Sequence, residues 1–357
     1  MNFDWKVYNY DYHQRIGNLT SEAQGKVKSE KHFPVFSDNG KEMVFKPLSK
    51  TKPLSTPFFA YSEVFWSTIF HNYFDPTTPV YHLATCQNIE EEYPNKYHHG
   101  TVVEKLGTEK KSLINLYQLC QRNPTTLPDI STYINYCEVF YDYTQILDSE
   151  FMKEHPCLAE SMAKQILCSI LRQDQNYHYE NVLFYQGEGS LEVAPMIDHE
   201  FSTMFMYLDE PERNKNLFAI TQESLEGVSE ETRKQAKDDI LKMLYIEKLE
   251  IEGKNIAKIM SLYPKAAIEF LENLKCFITD FSTTPLQMKD YDYLVPFNTS
   301  NFYVGQARWK ENDERKAKAL EVVLDQYFIT PDMVNDQIQG QVLQNAKVLQ
   351  KRIEEKV

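Results

Sequence analysis

Residues 174–201, DQNYHYENVLFYQGEGSLEVAPMIDHEF, interrupt an otherwise helical half of the chain with a hairpin. Polar Asp174, Asn176, His178 and Asn181 lead into two short apolar runs that flank Gly187-Glu188-Gly189, and turn residues between such runs predict paired strands. Asp198 stands at the far end. A hairpin brings its two ends together, so Asn181 and Asp198 are expected to converge, and their oxygens suit a magnesium ion.

Outward from this hairpin, helical periodicity is visible in SLINLYQLCQR (112–122), DISTYINYCEVFYDYTQIL (129–147) and LAESMAKQILCSILRQ (158–173). It returns in ETRKQAKDDILKMLYIEKLEI (231–251), in PKAAIEFLENLKCFITDF (264–281) and from Pro331 to Glu355. The apolar stripe of that last run is broken, which predicts a helix packed on its own domain rather than a coiled coil. The charged run 310–318 reads as a solvated face, and the aromatics of NYCEVFYDYTQ, with no basic residues between them, as core.

The first hundred residues have a different texture. In HFPVFSDNGKEMVFK (32–46), Asn39-Gly40 sits between apolar runs, a strong hairpin signal that puts Lys46 on the second strand. Next, Thr56 is a plausible N-cap and Pro57 a first helical residue; Phe58, Tyr61, Val64, Phe65 and Ile69 then mark one amphipathic helix ending near Asn72. Strand-like runs follow at 79–84 and 101–106, with polar 90–96 between them. The expected architecture is α+β and bilobal: a small β-rich lobe with one helix over 1–106, and a larger, mostly helical lobe over 107–357. HHGTVVEKLGT (98–108) would join the two, or be a central strand ending in a turn at Gly107. His98 and His99 read as loop residues.

Composition narrows the function. A formal net charge of −14 over 357 residues disfavours direct nucleic-acid binding, which depends on Lys and Arg releasing counterions. No stretch reaches the 18 or so apolar residues of a membrane span, and the N-terminus lacks a secretion signal, so a cytoplasmic protein with no membrane partner is expected. The cysteines Cys86, Cys120, Cys137, Cys157, Cys168 and Cys276 are scattered without a CxxC pair, which fits reduced thiols in cores better than disulfides or a zinc site. The 23 Tyr and 21 Phe supply ample material for a core.

Phosphoryl transfer needs a lysine on the phosphates, an acid that fixes it, magnesium ligands and a group beside the attacking hydroxyl. Lys46 on a strand followed by Glu63 on a helix fits the first two, and Asn181 with Asp198 the third. Here the sequence resembles the bacterial HipA-type protein kinases, a related Helicobacter effector kinase among them, and more distantly the phosphoinositide kinases. Asn176-Tyr177-His178-Tyr179-Glu180-Asn181 resembles the family's Asp-x-His-x-x-Asn loop, and Ala194-Pro195-Met196-Ile197-Asp198 its aPxxD segment. Ala23-Gln24-Gly25-Lys26 resembles the GxQxK phosphate loop, and Val44-Phe45-Lys46-Pro47 the lysine strand. The likeness runs from about Ser21 to Asp198.

The resemblance implies a protein-kinase-like fold that binds ATP and Mg2+ and phosphorylates a Ser or Thr hydroxyl of a protein, with an antitoxin-like partner. Gln24, Gly25 and Lys26 would cover the phosphates, Lys46 would hold them, Glu63 would orient Lys46, and the backbone of Val103 and Glu104 would meet the adenine edge. Asn181 and Asp198 would bind the metal, and His178 would brace the loop. The family's catalytic Asp falls on Asn176, whose amide accepts no proton as a carboxylate does. Either Asp174 takes that role, or the chain is a pseudokinase that binds nucleotide without transfer. Ala23 also replaces a family glycine. A rival class is a metal-dependent hydrolase using His178, Asp198 and His199, though no HxH or HExxH spacing supports it.

Overall fold

The computed structural model describes residues 3–20, 32–49, 57–93, 96–107, 112–130, 142–172, 178–187, 189–197, 199, 246–284 and 331–356. Its β-rich part is one six-stranded sheet curled into a half-barrel. In chain order the strands are β1 (Val7–Asp11), β2 (Gly17–Thr20), β3 (His32–Asp38), β4 (Lys41–Ser49), β5 (His82–Gln87) and β6 (Lys96–Glu104). Their spatial order is β1-β5-β6-β4-β3-β2. Asn39 and Gly40 take positive φ, 51° and 81°, as the expected two-residue turn between β3 and β4 requires.

β4 and β5 both run antiparallel to β6, hence parallel to each other, and parallel strands need a crossover. The helix α1 (Pro57–Tyr73) is that crossover. Sequence periodicity predicts an amphipathic helix here, but every residue from Ala60 to Phe70 is buried. α1 packs on β5 and β6 and also on the helix Pro264–Thr283, so its polar face never meets water and must be satisfied internally. Thr68 Oγ1 donates to Val64 O at 2.7 Å, and Ser67 Oγ accepts from Tyr81 N at 3.0 Å.

Beyond a short α2 (Ile89–Glu92), the helical part opens with a strand. Residues 112–115 lie in β7 (Ser112–Asn115) rather than in the expected helix, because they pair antiparallel with β8 (Leu183–Gly187), which pairs in turn with β9 (Ser190–Val193). The helix α3 (Leu116–Arg122) starts only after Asn115, which caps it with a reciprocal Asn115–Gln118 capping box. Four residues with two apolar side chains fit either period, and pairing decides.

Among the described residues the remaining helices are α4 (Thr144–Leu147), α5 (Glu150–Glu154), α6 (Pro156–Leu171), α7 (Ile246–Leu262), α8 (Pro264–Thr283) and α9 (Pro331–Glu354). α9 packs on α8 and α6, burying Val342, Ala346, Leu349 and Ile353. Gln339 Nε2 donates to Phe281 O and Thr284 O, covering carbonyls that the end of α8 leaves open. Arg352 pairs with buried Glu252 of α7 at 2.7 Å. One apolar core joins α1, β5, α6, α8 and α9. Cys157 and Cys276, expected in cores, are instead exposed. His98 and His99 lie on β6 rather than in a loop, with ring centroids 3.8 Å apart. β6 carries HHGTVVE as a central strand, and Gly107 turns the chain at φ 80°. The helical readings for 131–141 and 231–245 and the charged run 310–318 fall outside the described residues.

Candidate functional site

Lys46 stands directly opposite Thr101 in the β4–β6 ladder, so the two side chains share one face of the sheet. α1 lies on that face and brings in Glu63. Lys46 Nζ meets Glu63 Oε1 at 2.6 Å, and Thr101 Oγ1 donates to Glu63 Oε2 at 2.5 Å. Each carboxylate oxygen therefore holds a donor. Glu63 is 2% exposed, whereas the Lys46 side chain keeps 20% of its surface accessible, so the ammonium is the member of the pair that can be reached. Two residues back along β4, Val44 joins Leu19 and Val35 in a small apolar cluster with Val103 packed against it.

Close approach of the two strands requires Gly100. A Cβ there would sit 2.2 Å from Lys46 O and 2.9 Å from Lys46 C. An isolated glycine inside a strand signals such an approach, and Gly100 beside Thr101 carried that signal unread in the sequence. Thr101 itself gave none, because which strands neighbour β4 is not written locally. Val103 pairs with Val44, and Lys105 N donates to Glu42 O at 2.8 Å across the same ladder. Alternation therefore turns the Val103 amide toward β4 and the Glu104 amide toward the opposite edge. The Glu104 side chain pairs with Lys41 at 2.6 Å on the surface.

The hairpin forms a second part of the site. Ala194 N donates to Leu183 O at 2.8 Å, closing the β8–β9 base two residues after Asn181. Gln165 Nε2 of α6 donates to Ala194 O at 2.6 Å and fixes the exit strand from below. On the entry side, Leu116 N donates to both Tyr179 O and Val182 O, while Asn181 N donates to His178 O at 2.8 Å. His178 Nδ1 accepts from Glu180 N at 3.2 Å, so the ring braces the turn that carries Asn181. Asn181 is 2% exposed.

The chain after the hairpin returns to α1. His199 O accepts from Ser62 Oγ at 2.8 Å, one residue from Glu63, and Arg172 Nη1 lies against His199 Nδ1. Neither Arg172 nor Ser62 was singled out by sequence reasoning; a buried arginine looks like any surface arginine until its surroundings are known. The geometry brings Lys46 and Glu63 together and joins residue 199 to the Glu63 helix. Gln24, Gly25, Lys26, Asp174, Asn176 and Asp198 lie outside the described residues.

For a metal, Asn181 and Asp198 offer hard oxygen donors, the set that fits Mg2+ rather than zinc. His199 fits a metal poorly. A guanidinium carries only N–H donors, so the Nδ1 lone pair that faces Arg172 is turned to that group and not to an ion. Among the described residues no group of three or more His, Cys, Asp and Glu side chains is arranged to hold a metal. No helix among them is long and apolar enough to cross a membrane.

No protein-family model and no curated protein matches this chain. Among solved structures it is similar to that of a Helicobacter pylori proinflammatory kinase, CtkA, at 12% identity over 98% of this chain and 99% of that one. The TM-score is 0.39, a likeness too loose to bear on fold, activity or residue roles.

Proposed function

We propose that the chain is an ATP- and Mg2+-dependent phosphotransferase with a bilobal, kinase-like fold, acting on a Ser or Thr hydroxyl of a protein. The observation that carries this reading is the Lys46–Glu63 pair: a buried carboxylate, gripped on both oxygens, holding an accessible ammonium on the sheet face against which α1 packs. Burying a carboxylate this fully costs stability unless it is paired, and a pair that only stabilised the fold would be replaceable by apolar residues. A lysine held at a fixed point is what phosphate recognition requires.

In this reading Lys46 contacts the nucleotide phosphates under Gln24, Gly25 and Lys26, and the apolar cluster around Val44 receives the base. The Glu104 amide, turned away from β4, is the better placed of the two connecting residues to meet the adenine edge. Asn181 and Asp198 hold Mg2+, which supplies charge neutralisation at the phosphates when bound. Asp174 is the proton acceptor beside the substrate hydroxyl.

A second reading, a pseudokinase, is favoured by Asn176 standing where a carboxylate would serve as base. The experiment is calorimetry with ATP and Mg2+ on wild type, Lys46→Ala and Asp198→Ala, followed by radiolabel transfer with Asp174→Ala and Asn176→Ala. Saturable binding lost in the first two variants, with transfer lost in Asp174→Ala, is the expected result. Binding without transfer in wild type selects the pseudokinase, and no binding by wild type refutes both.

A further inference from the structure

Arg172 follows the last residue of α6 and is 0% exposed, an unusual place for a guanidinium, whose desolvation is costly unless its surroundings offset it. Its Nη1 lies against Nδ1 of His199, which is also 0% exposed. The imidazole packs edge-on against Phe70 of α1 at 5.5 Å and against Tyr81 at 5.8 Å. Its carbonyl accepts the Ser62 hydroxyl of α1. Three segments far apart in sequence meet here: the residue that ends α6, the residue that follows position 198, and the helix position next to Glu63.

A core that served stability alone would fill this volume with apolar side chains at no loss. Hydrogen bonds differ from apolar contacts in being directional, so they fix distance and orientation together. The Ser62 bond is made to main chain, and it therefore sets the backbone at 199 rather than a mobile side chain.

We propose that Arg172, His199 and Ser62 form a buried strut that holds the backbone of His199, next in sequence to Asp198, at a set distance from the Lys46–Glu63 pair. They are positioning residues for the magnesium-dependent part of nucleotide binding. This rests on the phosphotransferase reading above, with Asp198 as a metal ligand.

The test compares affinity for a non-hydrolysable ATP analogue with Mg2+ and in EDTA, by calorimetry on the full chain, for wild type, Ser62→Ala, His199→Leu and His199→Gln. Ser62→Ala removes one hydroxyl and leaves the Arg172–His199 contact, so it remains informative where His199→Leu fails to fold. The expected result is an EDTA affinity within about twofold of wild type, and a magnesium enhancement roughly five- to tenfold smaller, the scale of one buried hydrogen bond. His199→Gln, whose amide oxygen can accept from Arg172, recovers part of the enhancement. An unchanged enhancement in Ser62→Ala overturns the strut, as does an equal loss with and without Mg2+. Absence of nucleotide binding in wild type refutes the parent reading and this inference with it.

Discussion

Gly100→Ala tests how tightly the strand carrying Lys46 is held. The added Cβ would lie 2.2 Å from Lys46 O, whereas ordinary contact begins near 3.4 Å, so β4 and β6 must part locally by about 1.2 Å. The obstacle is backbone in a strand that pairs with β6 at Lys46 itself and with β3 as far as Val44, and it cannot swing away as a side-chain end would. Phe45 Cζ, 3.0 Å from the same position, blocks a sideways escape. Overpacking of this kind costs about 1–3 kcal/mol. Gly253→Ala is the control: it lies inside α7 with nothing within 4 Å of its Cβ, so the same substitution there gains about 1 kcal/mol of helix propensity. Urea unfolding should therefore shift in opposite directions for the two variants. The displacement also moves Lys46 or Thr101 against Glu63, whose grip spans only 2.5–2.6 Å; in the phosphotransferase reading proposed above, misplacement by about 1 Å would lower nucleotide affinity about tenfold or more. A Gly100→Ala protein as stable as Gly253→Ala, with wild-type affinity, would refute the close-approach argument.

Thr101→Val keeps the shape of the side chain and removes the donor to Glu63 Oε2; in the phosphotransferase reading proposed above it should raise the KM for ATP several-fold, with kcat changed less and Thr101→Ser restoring the wild-type value. Thiol labelling at about pH 8 should modify exposed Cys157 and Cys276 in the native protein and spare Cys86 and Cys120, whose thiols burial pushes up to about 12, together with the fully buried Cys168. Burial, with the Asp38 carboxylate beside it, pushes the Tyr10 phenol up to about 12, and burial with Asp280 raises that of Tyr73. Both phenols stay protonated in the fold after they would ionise in the unfolded chain, so their contribution is complete below about pH 10 and declines as pH rises toward 12. Urea midpoints across that window should fall for wild type and fall less for Tyr10→Phe.

The elements that were legible are those specified by a few adjacent residues. Asn39-Gly40 named its own turn because positive φ at two successive positions leaves few alternatives, and the residues from Pro57 announced a helix start. What failed was whatever depends on a neighbour. The β7 residues carry a helical pattern in sequence, and β8, more than sixty residues later, decides their state instead. α1 reads as amphipathic in sequence because Ser62, Glu63, Ser67 and Thr68 look solvated, whereas each is buried; Ser62, Glu63 and Ser67 bond to groups outside the helix, and Thr68 bonds within it.

The candidate site divides along the same line, and the division has a physical cause. Lys46 and Glu63 could be paired from sequence because one strand and the next helix fix their separation, and a long side chain absorbs an error of an ångström or two. Thr101 and Arg172 could not, because a hydrogen bond tolerates only a few tenths of an ångström, and that tolerance is set by the packed positions of β6 and α6. Sequence therefore announces the groups that would touch a nucleotide before those that aim them. In this chain the aiming groups are the more deeply buried: Thr101 and Arg172 are 1% and 0% exposed, against 20% for the Lys46 side chain. A substitution at Thr101 is expected to alter where charge sits rather than how much there is, which is why, in the reading proposed above, affinity measured with and without Mg2+ separates such a residue from one that only adds stability.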